Sequence, residues 1–485
     1  SQAMNRRHLK HIVLNVLGMV LPMVVGFLVV PGLIERIGQE RFGMLAITWM
    51  LVGYFGLLDL GLGRALTQHL AQQDAALVPR AAQAAVARSA RRLMLGMGLL
   101  WCVLLIATIP WAAQLLHTSP TLVAEVPLAW VALAITVPFL MWSTCSTGVL
   151  EARSHFVQIN TIRVPSGVAS FLLPWLVSHY TPSLVAMLGS VLLVRAATAS
   201  TLGWVTRREF HAQSHDASQS SLRPLLRFGM WLTLSNVVGP VLTYFDRLAI
   251  AALISIAAVT HYTVAFDVLA RLPALPVAVF SVFFPLLSAS HRAPTLPENS
   301  VATLLQSANR LLIACWVPGM ALVALAGPWI LLHWVGRELV LTSTDVWRWL
   351  AVGVVINGFA HIPFTLLQSA GRTDSIAKIH LSELPWYLLA LWWALLHDGI
   401  RGAAIVWTLR VAVDTVLLIA CAMHYFPHNR RVLQTIAGWA LGAGVVTLGI
   451  ALAGPRAPSL SLLLAMATFA AVWCGYHLRP LITIR

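Results

Sequence analysis

The stretch GYFGLLDLGLGRALTQHLA, residues 53–71, sets a carboxylate (Asp59) and a guanidinium (Arg64) among leucines and glycines. Its first half is too apolar for a water-facing helix, so its meaning depends on whether it lies in a bilayer. Of the 485 residues, 59% are hydrophobic and 10% are charged, against roughly 25% charged in a soluble globular chain. Apolar runs recur from end to end, each near the about 20 helical residues that cross a hydrocarbon core. Spans are predicted at 11–32, 42–63, 90–112, 121–148, 157–178, 183–205, 225–253, 258–288, 304–332, 345–370, 376–396, 402–425, 433–453 and 459–477. The chain reads as an all-α polytopic membrane protein of about 14 transmembrane helices.

Charge fixes an orientation. Of the 32 lysines and arginines, 22 fall on the side of the N-terminus. Six (Arg36, Arg41, Arg337, Arg348, Arg401, Arg456) fall on the other side, and four (Arg195, Arg247, Arg271, Arg410) lie within spans. By the excess of basic residues in cytoplasmic loops, both termini are expected in the cytoplasm. The formal charge of +15 is then a consequence of topology, and no nucleic-acid partner is needed. The opening SQAM reads as a scar ahead of Met4. The basic start followed by an apolar run lacks a small-residue cleavage site, so it is taken as the first span. Cys102, Cys145, Cys315, Cys421 and Cys474 all sit in apolar runs without C-x-x-C spacing and read as small core residues.

The longest polar break, RREFHAQSHDASQSSLRP at 207–224, is the expected cytoplasmic linker between an N-terminal six-helix lobe (4–206) and a C-terminal one (225–427). Residues 428–485 would add helices 13 and 14 as an appended pair. A weak echo at a shift of 220 residues sets LIERIGQERFGM (33–44) over LISIAAVTHYTV (253–264). Such an echo suits a parallel repeat about the membrane normal.

An ionisable side chain in a bilayer costs a few kcal/mol and marks a functional site by default. Besides Asp59 and Arg64, the spans hold Asp246, Arg247, Asp267, Arg271, Glu383, Arg410 and Asp414. Asp267/Arg271 and Arg410/Asp414 are spaced i,i+4, which places each pair on one helix face. Arg410/Asp414, with Glu383 from the adjacent helix, reads either as a structural ion pair or as an ion-coupling network. Asp246 and Arg247 are about 100° apart around a helix, so at least one looks toward another helix or a wet cavity. Arg64 either snorkels to headgroups or borders that cavity. Contributions from both halves suit a hydrophilic space between two bundles. The seventeen histidines show no metal-ligand spacing, and no nucleophile elbow or nucleotide loop is present. No enzyme chemistry, metal or cofactor is expected. Trp329, Trp334, Trp347 and Trp349 flank a predicted outer loop, as an interfacial belt would.

With these features in view, five segments resemble Wzx-type oligosaccharide flippases, of the superfamily that also holds the MATE exporters and the lipid II flippases. They are GYFGLLDLGLGRALTQ (53–68), LTYFDRLAIAALISIAAVTHYTVAFDVLARL (242–272), FTLLQSAGRTD (364–374), AKIHLSELPWYLLALWW (377–393) and IRGAAIVWTLRVAVDTVLL (400–418). The resemblance spans about residues 10–425. It covers Asp59, Arg64, Asp246, Arg247, Asp267, Arg271, Gln368, Arg372, Glu383, Arg410 and Asp414. It implies two six-helix lobes in a V and alternating access. The implied cargo is an undecaprenyl-diphosphate-linked oligosaccharide, flipped from the cytoplasmic to the periplasmic leaflet of a bacterial inner membrane. Membrane lipids, a polysaccharide polymerase and other assembly proteins are the implied partners. Arg64, Arg247 and Arg271 would grip the diphosphate bidentately. Asp59, Asp246 and Asp267 would balance the empty cavity or exchange H+ or Na+. The first helix offers Asn15 where the lipid II branch carries charges. Alternatives are a MATE-like cation antiporter, a lipid II flippase, or a polymerase or ligase, which would need a larger outer loop than 333–344.

Overall fold

A computed structural model describes residues 6–55, 62–75, 77–115, 118–153, 155–211, 241–277, 280, 287, 300–453 and 459–482. Among the described residues every regular element is a helix. This is how a chain satisfies its backbone polar groups in lipid, where water cannot. Eight of the described helices are long and apolar enough to cross a bilayer, and the protein is a multi-pass membrane protein. It divides into two compact units, Ser1–Thr260 and His261–Arg485.

The first unit contains α1 (Arg6–Phe55), α2 (Leu62–Ala75), α3 (Arg80–Ala107), α4 (Ile109–Leu115), α5 (Pro120–Val123), α6 (Val126–Ala152), α7 (Phe156–Ser178), α8 (Leu184–His211) and α9 (241–253). The next helix, α10 (Ile256–Leu269), begins in it. At 50 residues α1 would run about 75 Å if straight, enough for the first two expected spans. Gly38, at φ 80° and ψ 165°, breaks it between them, a conformation that glycine adopts without Cβ strain. Small residues let α2 and α6 touch. A Cβ on Gly148 would sit 2.9 Å from the Gly63 carbonyl, and the Thr67 hydroxyl donates to the carbonyls of Gly63 and Gly148 at 3.0 and 3.1 Å. At the other end of α6, Glu125 accepts from the Arg41 guanidinium and from the Leu184 amide. Burial alone would raise the Glu125 carboxyl. The Arg41 and Leu184 hydrogen bonds and the Arg41 charge outweigh it and hold the group below the ordinary glutamate value. Of the expected linker, residues 207–211 continue α8 and the remainder lies outside the described residues.

The second unit contains α11 (Ser300–Leu311), a π-helical turn (Leu312–Trp316), α12 (Val317–Trp334), α13 (Arg337–Ser369), α14 (Thr373–Tyr425), α15 (Arg430–Ala453) and α16 (Leu460–Ile482). The 53-residue α14 is two spans joined at Gly399, φ 57° and ψ −143°. Just beyond, a Cβ on Gly402 would lie 2.5 Å from the Ala394 carbonyl, so the two arms close tightly. Glycine notches also receive indoles, Gly327 taking Trp347 and Gly358 taking Trp316. Trp347 is 0% exposed and donates Nε1–H to the Val323 carbonyl at 3.0 Å. It is therefore a core residue and not part of the expected interfacial belt; the ring fills the notch while its N–H keeps a partner. The last helix docks on the π turn. Trp473 donates to the Ile313 carbonyl at 3.2 Å, and the Cys474 and Cys315 sulfurs lie 3.2 Å apart. A π turn loosens the regular α ladder, which suits a carbonyl that accepts from a neighbouring helix.

Candidate functional site

The expected intramembrane charges fall in different places. Asp59 lies outside the described residues, and Arg64 belongs to α2 with its side chain outside the described set. On α9, in the first unit, Asp246 and Arg247 are 0% and 3% exposed. The Asp246 carboxylate accepts from the Arg247 amide at 2.8 Å, and the guanidinium lies 5.4 Å from the Tyr244 ring centroid. Both side chains are thus buried, where an ionised group is retained only with partners.

In the second unit, Asp267 is half-buried on α10. Its i,i+4 partner was expected on the same face, but α10 stops at Leu269 and Arg271 lies in the turn that follows. Pro273 supplies the reason, since it has no N–H to offer the carbonyl four residues earlier, that of Leu269, where α10 ends. Gln368 is exposed near the end of α13, and Arg372, ahead of α14, lies 4.3 Å from the Tyr425 ring centroid.

Glu383, Arg410 and Asp414 do come together. Glu383 lies 16 residues before Gly399 and Asp414 15 after it, so the two arms of α14 bring them level. Glu383 belongs to a buried stripe with Tyr387, Leu391 and Ala394, while Leu381, Ser382 and Leu389 face outward. Arg410 and Asp414 do not simply neutralise one another along one helix. Arg410 Nη1 is 3.6 Å from Glu383 Oε2, and His380 Nε2 is 3.3 Å from Asp414 Oδ1. The Arg410 guanidinium also lies 6.0 Å from the Tyr387 ring centroid. Glu383 is 0% exposed, neither of its oxygens makes a hydrogen bond, and Asp414 Oδ1 makes none. Glu383 and Asp414 interact electrostatically, as do Asp414 and His361 of α13. His361 is held between Phe280 and Phe364, with ring centroids at 6.3 and 6.5 Å.

His380 and His361 were not singled out from the sequence. His380 stands three residues before Glu383, a spacing that shares a helix face, and that was the available signal. His361 is reached only across helices and has no local signature. Among the described residues no three His, Cys, Asp or Glu side chains converge as a metal site would require.

The architecture has known counterparts. A multidrug resistance MATE family transporter of the MOP superfamily, inward-facing, aligns with a TM-score of 0.69 at 15% identity, over 86% of this chain and 99% of its own. A MOP superfamily transporter from Pyrococcus furiosus, whose binding pocket is described as having reverse polarity, aligns at 0.56 and 16% identity, over 86% of this chain and 95% of its own. The fold is that of the MOP transporters. In sequence, a Shigella flexneri protein described as "Putative O-antigen transporter" is 26% identical over 410 residues, 84% of this chain and 96% of the relative. A model of the polysaccharide biosynthesis protein family matches residues 8–291, and the chain belongs to that family. These relatives are described as transporters and not as enzymes.

Proposed function

We propose that the protein is a flippase for a lipid-linked oligosaccharide, carrying an undecaprenyl-diphosphate-linked chain from the cytoplasmic to the periplasmic leaflet of a bacterial inner membrane. Membership of the polysaccharide biosynthesis family, with a Shigella relative described as an O-antigen transporter, is the observation that carries this reading. Ionisable residues are rare in membrane spans and mark substrate or ion pathways, and Asp246 and Arg247 are two such residues. The tail can remain in lipid while only the diphosphate and sugar are sheltered. Guanidiniums at Arg64, Arg247 and Arg271 supply bidentate charge-assisted hydrogen bonds to phosphate oxygens, and Asp59, Asp246 and Asp267 balance them when cargo is absent. Both termini are assigned to the cytoplasm, and a polysaccharide polymerase and other assembly proteins are natural partners.

The driving force needs no nucleotide. Moving about two negative charges outward across about 100 mV, inside negative, releases about 4–5 kcal/mol, and inward H+ or Na+ flow adds to this. The test is flipping of a fluorescent lipid-diphosphate sugar in proteoliposomes under separately imposed potential, Na+ and pH gradients. Transport that responds to at least one gradient, and is abolished by charge reversal of Arg247 or Arg271, supports the reading. A MATE-like antiporter would instead extrude organic cations with those reversals tolerated.

A further inference from the structure

The cluster at the base of the α14 hairpin has a property its individual residues do not. Arg410 carries one positive charge, and Glu383 and Asp414 carry one negative charge each when ionised. With neutral histidines the sum is −1. Glu383 is 0% exposed and its carboxylate oxygens have no hydrogen-bond donor. A net charge in such surroundings is strongly disfavoured relative to a neutral set. One added proton neutralises the whole, whether it sits on His380 beside Asp414, on Asp414 or on Glu383.

We propose that His380, Glu383, Arg410 and Asp414 form a single-proton exchange site within the second unit. The proposal rests on the flippase reading only for the use to which the proton is put. A proton suits this site better than Na+ for two reasons. Arg410 stands 3.6 Å from the Glu383 oxygen, and its positive charge repels a metal cation there. A proton also needs only one lone pair, whereas a metal ion needs a shell of oxygens to replace its hydration. His380 supplies the way in, its side chain being 26% exposed against 12% for Asp414 and 0% for Glu383. It stands seven residues from the start of α14 at Thr373, the end assigned to the cytoplasm.

Among the described residues the surrounding elements leave the count unchanged. From α13 comes His361, neutral in the sum, with a ring nitrogen that makes no hydrogen bond. From α14 itself comes Tyr387, also neutral. Packing Phe266 edge-on against Trp407 at 5.7 Å, α10 brings Asp267 as the adjacent residue, half-buried and engaged in an interaction of its own, so it is not counted with the four. The only charges of α15, Arg430 and Arg431, are in its first turn.

The experiment uses the full chain in nanodiscs, stepped from about pH 9 to about pH 6, across the range in which histidine titrates. Proton uptake is followed with a pH dye, and carboxyl and imidazolium bands by infrared difference spectroscopy. Wild type should take up one proton more than Glu383→Gln or Asp414→Asn, each of which makes the set neutral without a proton. Arg410→Gln should take up one more than wild type, and His380→Gln should shift the midpoint. Equal uptake by wild type and both carboxamide variants overturns the proposal, and Asp414→Asn decides the matter if Glu383→Gln misfolds. In proteoliposomes a pH gradient should stimulate flipping by wild type and not by Glu383→Gln. Uptake as expected with no flipping of any lipid-diphosphate sugar would leave the proton site standing and remove the flippase reading.

Discussion

Replacing Arg410 with glutamine should destabilise the protein far more than replacing Arg410 and Glu383 together. Arg410 lies 3.6 Å from Glu383, with side-chain exposures of 11% and 0%, and no hydrogen bond reaches either Glu383 oxygen. Removing one partner of such a buried pair leaves an uncompensated charge and costs about 3–5 kcal/mol. For a unit of this size each kcal/mol moves Tm by about 2–4 °C, so the single variant should melt about 6–20 °C below wild type. The double variant Glu383→Gln/Arg410→Gln removes both charges at nearly constant volume and should recover most of that fall. Tryptophan fluorescence during heating, with 19 indoles in the chain, follows the transition in detergent or nanodiscs. A single variant melting within about 2–4 °C of wild type, an effect under about 1 kcal/mol, would refute the reasoning. So would a double variant no more stable than the single one.

Three further outcomes are expected. Glu125 is held below its ordinary value, so its stabilising contribution is full above the unfolded glutamate value of about 4.3 and is lost as pH falls through its lower folded value. Glu125→Gln should therefore melt below wild type at neutral pH, with the gap closing in acid, as melting curves across pH would register. Gly327→Ala would set a Cβ 2.2 Å from the Trp347 ring and should cost about 1–3 kcal/mol by overpacking, read as a lower Tm. Copper-phenanthroline treatment should join Cys315 to Cys474, whose sulfurs are 3.2 Å apart. The bridged peptide should appear by mass spectrometry in wild type and disappear in Cys315→Ser.

The helices were legible in the sequence because a 20-residue apolar run has few other uses, and Gly38 and Gly399 fall in the predicted connections. The membrane character, the all-α class and the family followed from composition and from motifs such as HLSELPWY. Apart from Arg271, what was not legible depended on contacts across helices. Arg271 looked like a helix partner of Asp267 because spacing counts residues and not the proline that ends α10 early. Trp347 looked interfacial because it sits close to an outer loop in sequence, whereas Gly327, on another helix, decides its burial. Cys315 and Cys474 are 159 residues apart, and no local pattern links them. At the α14 hairpin the three charged residues were visible as expensive. His380 was not, because its importance lies in facing Asp414 across the arms.

The π turn at Leu312–Trp316 carries a consequence for length variation in this protein. A π turn holds one residue more than the α geometry on either side of it, and each residue advances a helix by about 100°. Trp316, in the Gly358 notch, and Ile313 with Cys315, facing α16, are both indexed to that extra residue. Point substitutions there trim individual side chains, but loss of a single residue would swing one whole segment out of phase with the other. Homologues that have dispensed with the final helix would be free of this constraint and should read one residue shorter at this point.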